Sequence, residues 1–288
     1  MQLEGKNAII TGGSIGLGLA IAMAYVLEGA NICICARSVD QLEQAKDLLE
    51  NKKRRSDQIV FSTLCDVSKR EDVERLFVEA EKHIGEIDIL VNNAGVYGPK
   101  GPSEDVDITE WMKAVEINLT GTFHACQQAI NRFKKMRSGK VINLSGGGAT
   151  APLPNLSSYA VSKAAVVRLT ETLAEEVKEF GIDINAIAPG ALNTRLLDEV
   201  LEAGPEKVGQ GFYEKALKQQ KNGGAGLEKG AQLSVFLASS KSDGITGKLI
   251  SAVWDSWATF DKHLDDIKNT DIFTLRRILT KERGLEWE

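Results

Sequence analysis

One stretch constrains this chain more than any other. Asn7-Ala8-Ile9-Ile10-Thr11 is short and apolar. It runs without a break into Gly12-Gly13-Ser14-Ile15-Gly16-Leu17-Gly18, and then into an apolar helical pattern from Leu19 to Leu27 closed by Gly29. A buried strand, a glycine turn and a helix in that order form the first βα unit of a parallel sheet. The glycines let the backbone turn tightly, and the helix N-terminus offers free N–H groups and a positive dipole end, which together accept a phosphate. The spacing is T-G-x-x-x-G-x-G and not the G-x-G-x-x-G fingerprint, so a plain structural turn fits the stretch as well as a phosphate cradle does.

Strand-like and helix-like patterns alternate through the rest of the chain. Strands are expected over 31–36, 59–64, 87–91, 140–144, 182–188 and 248–253. Helices are expected over about 39–51 and 227–237, and through the helical spacing of Val73, Leu76, Phe77, Ala80 and Ile84. This alternation predicts an α/β fold: a Rossmann-like, doubly wound parallel sheet in three α/β/α layers, one domain over 1–253. The polar segment 191–226, broken at Gly204-Pro205, is the natural lid over a substrate.

Composition narrows the classes. A net charge of −5 lacks the basic face that a nucleic-acid partner needs. No apolar run is long enough to cross a bilayer, and the N-terminus enters a strand at once, so a cytoplasmic protein is expected. Cys33, Cys35, Cys65 and Cys126 have no zinc spacing, and Cys33 and Cys35 read as small core hydrophobes. His83, His124 and His263 lie far apart, so no metal site is expected.

Polar residues gather where the predicted strands end. After the second strand comes Ala36-Arg37-Ser38, where a dinucleotide site reads its ribose. A guanidinium and a hydroxyl suit a 2′-phosphate, which favours NADP(H) and leaves NAD(H) open; the competing reading stacks Arg37 on adenine and makes Ser38 a helix cap. Asp66, followed by Val67, can accept from an adenine amino group or cap the next helix. Asn92-Asn93-Ala94-Gly95 follows the fourth strand, either beside a cofactor or as a turn. Asn118 sits inside an apolar helical stretch, which calls for a helix distortion or a bound water. Tyr159 and Lys163 lie four apart on one helix face, where an ammonium would lower the phenol pKa into a usable range.

In order and spacing, these pieces resemble the short-chain dehydrogenase/reductase family over about residues 5–252. The resemblance implies that Thr11, Gly12, Gly16 and Gly18 form the cofactor glycine motif, with Ser14 and Ile15 inside it. It implies that Asp66 and Val67 contact the adenine and that Asn93, Ala94 and Gly95 support the cofactor. Pro189, Gly190 and Thr194 would fix the nicotinamide carboxamide. Asn118 would hold a proton-relay water against Lys163, Tyr159 would be the acid/base, and Lys163 would bind the nicotinamide ribose. The implied reaction is hydride transfer between nicotinamide and the carbon of a secondary alcohol or ketone, in a homodimer or homotetramer.

Two departures stand out. In an ungapped alignment to Tyr159, the substrate-orienting serine of the family falls on Gly146, so Ser145, one residue early, is the best available candidate, with Ser157 or Ser158 as substitutes. The chain also continues past the last strand, over 254–288, where Ile267, Ile272, Leu275, Ile278 and Leu279 are apolar among charges. That extension reads as packing on its own domain or a sister subunit, or as a lid element with Trp254 or Trp257 stacking on a substrate ring. Two other functions stay open: a sugar-modifying reductase or epimerase, and a dinucleotide-binding sensor that has lost turnover.

Overall fold

The computed structural model describes residues 1–287. Seven parallel strands form one sheet in the order β3-β2-β1-β4-β5-β6-β7: β1 Asn7–Thr11, β2 Asn31–Ala36, β3 Val60–Leu64, β4 Ile89–Asn92, β5 Gly139–Leu144, β6 Ile182–Ala188 and β7 Leu249–Ser251. The helices between them are α1 Gly16–Leu27, α2 Val39–Glu50, α3 Arg70–Ile84, α4 Ile108–Val115, α5 Gly121–Met136, α6 Ser157–Val177, α7 Arg195–Val208, α8 Gln210–Asn222, α9 Leu227–Ala238 and α10 Leu264–Asn269. No helix is long and apolar enough to cross a membrane among the described residues.

Strand periodicity builds the two apolar layers. Ile10, Ile32, Ile34, Ile89 and Val91 face α1 and α9, while Ile9, Cys33, Cys35 and Leu90 face α3 and α5. All four cysteines are buried free thiols. The strand order reverses between β1 and β4, so a crevice opens at their C-terminal ends, where a doubly wound sheet binds ligands.

The last strand is shorter than the expected 248–253. Ser251 Oγ accepts from the amides of Val253 and Trp254, and Asp255 Oδ2 accepts from Ser251 N at 2.7 Å, which turns the chain out of the sheet. The segment expected to act as a lid folds as α7 and α8, with a kink at Gly204 (φ 75°) before Pro205. Its two ends are pinned by a bridge between Leu192 and Ala225.

The extension packs on its own domain up to residue 275. Phe260 and Ile267 join the cluster of α1 and α9, and the Trp257 ring lies 6.0 Å from that of Phe236. The expected apolar set does not share one face: Ile267 is buried, Leu275 half-buried, and Ile272, Ile278 and Leu279 exposed, because helix ends at Asn269. Replacing the fully buried Ile267 with Ala should lower the unfolding free energy by about 2–5 kcal/mol in urea titrations. A change under about 0.5 kcal/mol would mean that the extension does not belong to the cooperative core.

Candidate active site

The glycine turn is built as tightly as its composition requires. A Cβ on Gly18 would lie 2.1 Å from the Gly12 carbonyl oxygen, and one on Gly12 would lie 2.9 Å from Ala94 Cα. Gly16 has φ 56°, a conformation that side chains rarely adopt. Helix α1 has neither a side-chain cap nor an acidic residue in its first turn, so its leading amides and dipole stay open to an anion. The neighbouring strand end is tied to this turn. Asn93 Nδ2 donates to Thr11 O (3.0 Å) and Gly12 O (2.9 Å), and Thr11 Oγ1 accepts from the amides of Asn93 and Ala94. These features fit a dinucleotide pyrophosphate.

At the far end of the crevice, Arg37 is exposed and has no ion-pair partner among the described residues. Ser38 caps α2, accepting from Gln41 N at 3.4 Å. Asp66 Oδ1 accepts from the amide and hydroxyl of Ser68, so it shapes the turn into α3, and Val67 is buried against Gly121. On the near side, Gly190 has φ 92°, and Thr194 Cγ2 would lie 3.5 Å from a Cβ on Gly16, which brings the lid base against the glycine turn.

A cleft of about 860 Å³ runs from Ile15 and Gly16 past Asn93 and Gly95 to Tyr159 and Lys163, and on under the lid. The Tyr159 hydroxyl has no hydrogen-bond partner among the described residues, and its ring meets Tyr97 edge-on at 4.6 Å. Lys163 is buried, and its Nζ donates to Leu144 O at 2.7 Å. Burial pushes the Lys163 ammonium down to about 8. Burial, and secondarily Tyr97, pushes the Tyr159 phenol up, which overturns the expected lowering by Lys163 in this geometry. The reason is placement: Nζ lies 5.8 Å from the ring centroid and is turned to the strand carbonyl, so desolvation outweighs the cation.

Asn118 lies in a π-helical turn, Glu116–Thr120, so the helix distortion anticipated for it is real. Both hydrogens of its amide are engaged. Oδ1 accepts from Val96 N (2.9 Å), while Nδ2 donates to Val96 O (2.8 Å) and Ser162 Oγ (2.9 Å). The side chain therefore has no remaining hydrogen to offer a relay water; it ties the loop after β4 to α6. A Cβ on Gly95 would lie 3.1 Å from Asn118 Oδ1 and 3.5 Å from Lys163 Nζ, so its backbone passes close to both.

Ser145 does not face the phenol. Its hydroxyl is buried and donates to Lys163 O at 3.4 Å, while a Cβ on Gly146 would lie 2.2 Å from Tyr159 Oη. The strand pleat explains the offset: at the end of β5, alternate residues point to opposite sides. The substitutes are also occupied, since Ser158 Oγ donates to Tyr97 O and Ser157 Oγ accepts from Trp111 Nε1.

Two aromatic residues of the cleft escaped the sequence: Tyr97 and Phe212 line it from a loop and from α8, while Trp254, one of the two tryptophans singled out in the extension, lines it as well. Trp254 is 84% exposed at the mouth, whereas Trp257 packs in the core and donates to Ala252 O. Arg195 also lines the cleft and pairs with Glu199 on α7. Only the run of aromatic residues in otherwise polar segments could have signalled this wall.

Known proteins place the chain in a family. A short chain dehydrogenase family profile matches residues 6–204. The 3beta-hydroxysteroid dehydrogenase 1 of Eggerthella lenta is 42% identical over 195 residues, covering 67% of this chain and 73% of that protein. The crystal structure of levodione reductase superposes with a TM-score of 0.79 at 31% identity, over 86% of this chain and 96% of that one. That of NAD+-bound xylitol dehydrogenase also gives 0.79, at 26% identity over 87% and 98%. With its seven-stranded parallel sheet and the glycine turn matched in sequence and in structure, the chain belongs to the short-chain dehydrogenase family of oxidoreductases.

Proposed function

We propose that this chain interconverts a secondary alcohol and a ketone with Tyr159 as its acid/base and a preference for NADP(H). The carrying observation is the Tyr159 hydroxyl, unbonded at the floor of the cleft and beside a buried ammonium. When bound, the dinucleotide supplies or receives the hydride. In the reductive direction Tyr159 Oη gives its proton to the carbonyl oxygen as the carbon gains hydride, and it takes that proton back in the reverse direction. Burial keeps the proton on the phenol at neutral pH, so its delivery depends on a cation that stabilises the phenolate. Lys163, charged below about pH 8, favours the phenolate left behind.

Asn118 enters this proposal as a brace for α6: both Nδ2 hydrogens are used within the protein, while Oδ1, accepting only from Val96 N, keeps a lone pair for a relay water. With Gly146 opposite the phenol, the substrate oxygen has Tyr159 as its side-chain donor. Missing a second donor costs about a hundredfold to a thousandfold in rate. The same glycine favours a second reading, a sensor that binds dinucleotide without turning it over. The preference for NADP(H) rests on the unpaired Arg37 and the absence of an acid at the end of β2. Four buried free thiols suit the cytosol, where a dehydrogenase meets its dinucleotide pool.

The test is oxidation of NADPH and of NADH against keto-sugars, alicyclic and aliphatic ketones, and steroids. Turnover on one class is expected, with Tyr159→Phe reducing kcat by about a hundredfold or more while dinucleotide Kd stays within about twofold. Binding of both dinucleotides with no turnover on any class would favour the sensor. Arg37→Ala should lower the NADPH-to-NADH ratio of kcat/KM by about tenfold; an unchanged ratio would remove Arg37 from the preference.

Lys163 also leaves a mark on stability. Its pKa is about 8 folded against 10.5 unfolded, so between those values the folded chain binds fewer protons than the unfolded one. Its contribution to stability therefore rises with pH through that window, by roughly 3 kcal/mol in all. Urea unfolding at pH 7.5 to 10 should show that this rise is lost in Lys163→Met; an identical pH slope in the variant would contradict it.

A further inference from the structure

The end of the extension is held by its backbone. Lys248 Nζ donates to Thr270 O (2.7 Å) and Ile272 O (3.1 Å), and Leu249 N, on the open edge of the sheet, donates to Phe273 O at 2.7 Å. Helix α6 closes the clamp around a single residue. Glu171 Oε1 accepts from Leu275 N at 2.6 Å, and Arg168 donates to Leu275 O. Arg168 and Glu171 also pair with each other at 2.6 Å. Phe273 has φ 61°, which is costly for a bulky residue. That conformation is maintained while its carbonyl meets Leu249 N and its ring stacks 5.4 Å from Phe260.

All these contacts place one side chain. Leu275 packs on a small cluster of Ala149, Val167 and Ala186, as Leu249 does. Each of these neighbours leads to the cleft. Leu249 lines it directly. Val167 is one helical turn beyond Lys163 on the same face of α6. Ala149 ends the run Gly146-Gly147-Gly148, the loop that faces the Tyr159 hydroxyl.

That loop lies on α6 through bare backbone: a Cβ on Gly148 would lie 2.7 Å from Ala160 Cβ, one on Gly147 would meet nothing within 4 Å, and Ala149 N donates to Gly146 O at 3.3 Å. Three consecutive glycines carry a large conformational entropy, so a loop of this composition needs an anchor to present one shape. Ala149, only 8% exposed, is its buried end.

We propose that Leu275 is a positioning residue for catalysis. Through Ala149 and Val167 it sets the glycine loop and α6 against each other, and so fixes the space in which a substrate oxygen meets Tyr159. The inference rests on the role proposed for Tyr159, and it adds a function for the segment 270–275.

The experiment compares the full chain with Leu275→Ala, Leu275→Met and, as a control outside the clamp, Leu279→Ala, whose side chain is exposed. Three quantities are read: hydrogen exchange of the amides over 146–150, dinucleotide Kd, and kcat with KM on whichever carbonyl is turned over. In Leu275→Ala, exchange over 146–150 should quicken by about tenfold and kcat fall by a similar factor, while dinucleotide Kd stays within about twofold. Leu275→Met, which refills the volume, should restore both. Leu279→Ala should change none of the three. Should Leu275→Ala fail to fold, Leu275→Val gives the same comparison in milder form. Unchanged exchange over 146–150 in a folded Ala or Val variant overturns the proposal, as does a kcat loss that the Met variant shares in full. Exchange is read without substrate, so absence of turnover in the unaltered chain would overturn the proposed function and still leave this test decisive.

Discussion

The site depends on one buried cation. Lys163 is buried at the cleft wall, and among the described residues its Nζ has one acceptor, the Leu144 carbonyl, and no carboxylate partner. An ammonium so placed is held at a cost, which is why its pKa falls to about 8. The surroundings keep it there. Asn118 joins Val96 to Ser162 through its amide, and Ser162 in turn donates to Tyr159 O, so α6 is fixed one turn before the lysine. The π-helical turn at Glu116–Thr120 is the distortion that lets an asparagine do this inside an apolar helix. Site and strain thus belong to one arrangement.

The parallel sheet delivers the parts to the same edge. The strand order reverses between β1 and β4, and the gap is bridged by Asn93, whose amide holds both Thr11 O and Gly12 O. The glycines at 12 and 18 are required by contacts of 2.9 and 2.1 Å that a Cβ would make, not by flexibility. One helix start is left open for an anion, and one phenol is left open for a substrate.

Much of this was legible in the chain. Continuous apolar runs such as Asn31–Ala36 and the turn from Thr11 to Gly18 carry strand, sheet direction and ligand end together. The i, i+4 spacing of Tyr159 and Lys163 put them on one face, and the mid-helix asparagine announced a distortion. The ungapped alignment also put Gly146, and not Ser145, opposite the phenol, as the pleat at the end of β5 does; what failed was the choice of Ser145 as the residue that would still reach the substrate oxygen. The pKa order also failed, because desolvation depends on neighbours such as Tyr97 that arrive from distant loops. The extension reads as amphipathic, yet its end over 270–275 is fixed through backbone contacts, which leave no pattern in side-chain polarity.

The central claim is that the open phenol and the glycine turn serve one hydride transfer to a carbonyl carbon. The most direct measurement uses dinucleotide deuterated at the transferable position of nicotinamide C4 and follows the label into the alcohol product by mass spectrometry. The account predicts one deuterium on the carbinol carbon, formed by the unaltered chain and reduced by about a hundredfold or more in rate by Tyr159→Phe. Label that enters product equally fast without the Tyr159 hydroxyl, or dinucleotide that binds and passes no label to any class of ketone, would contradict it.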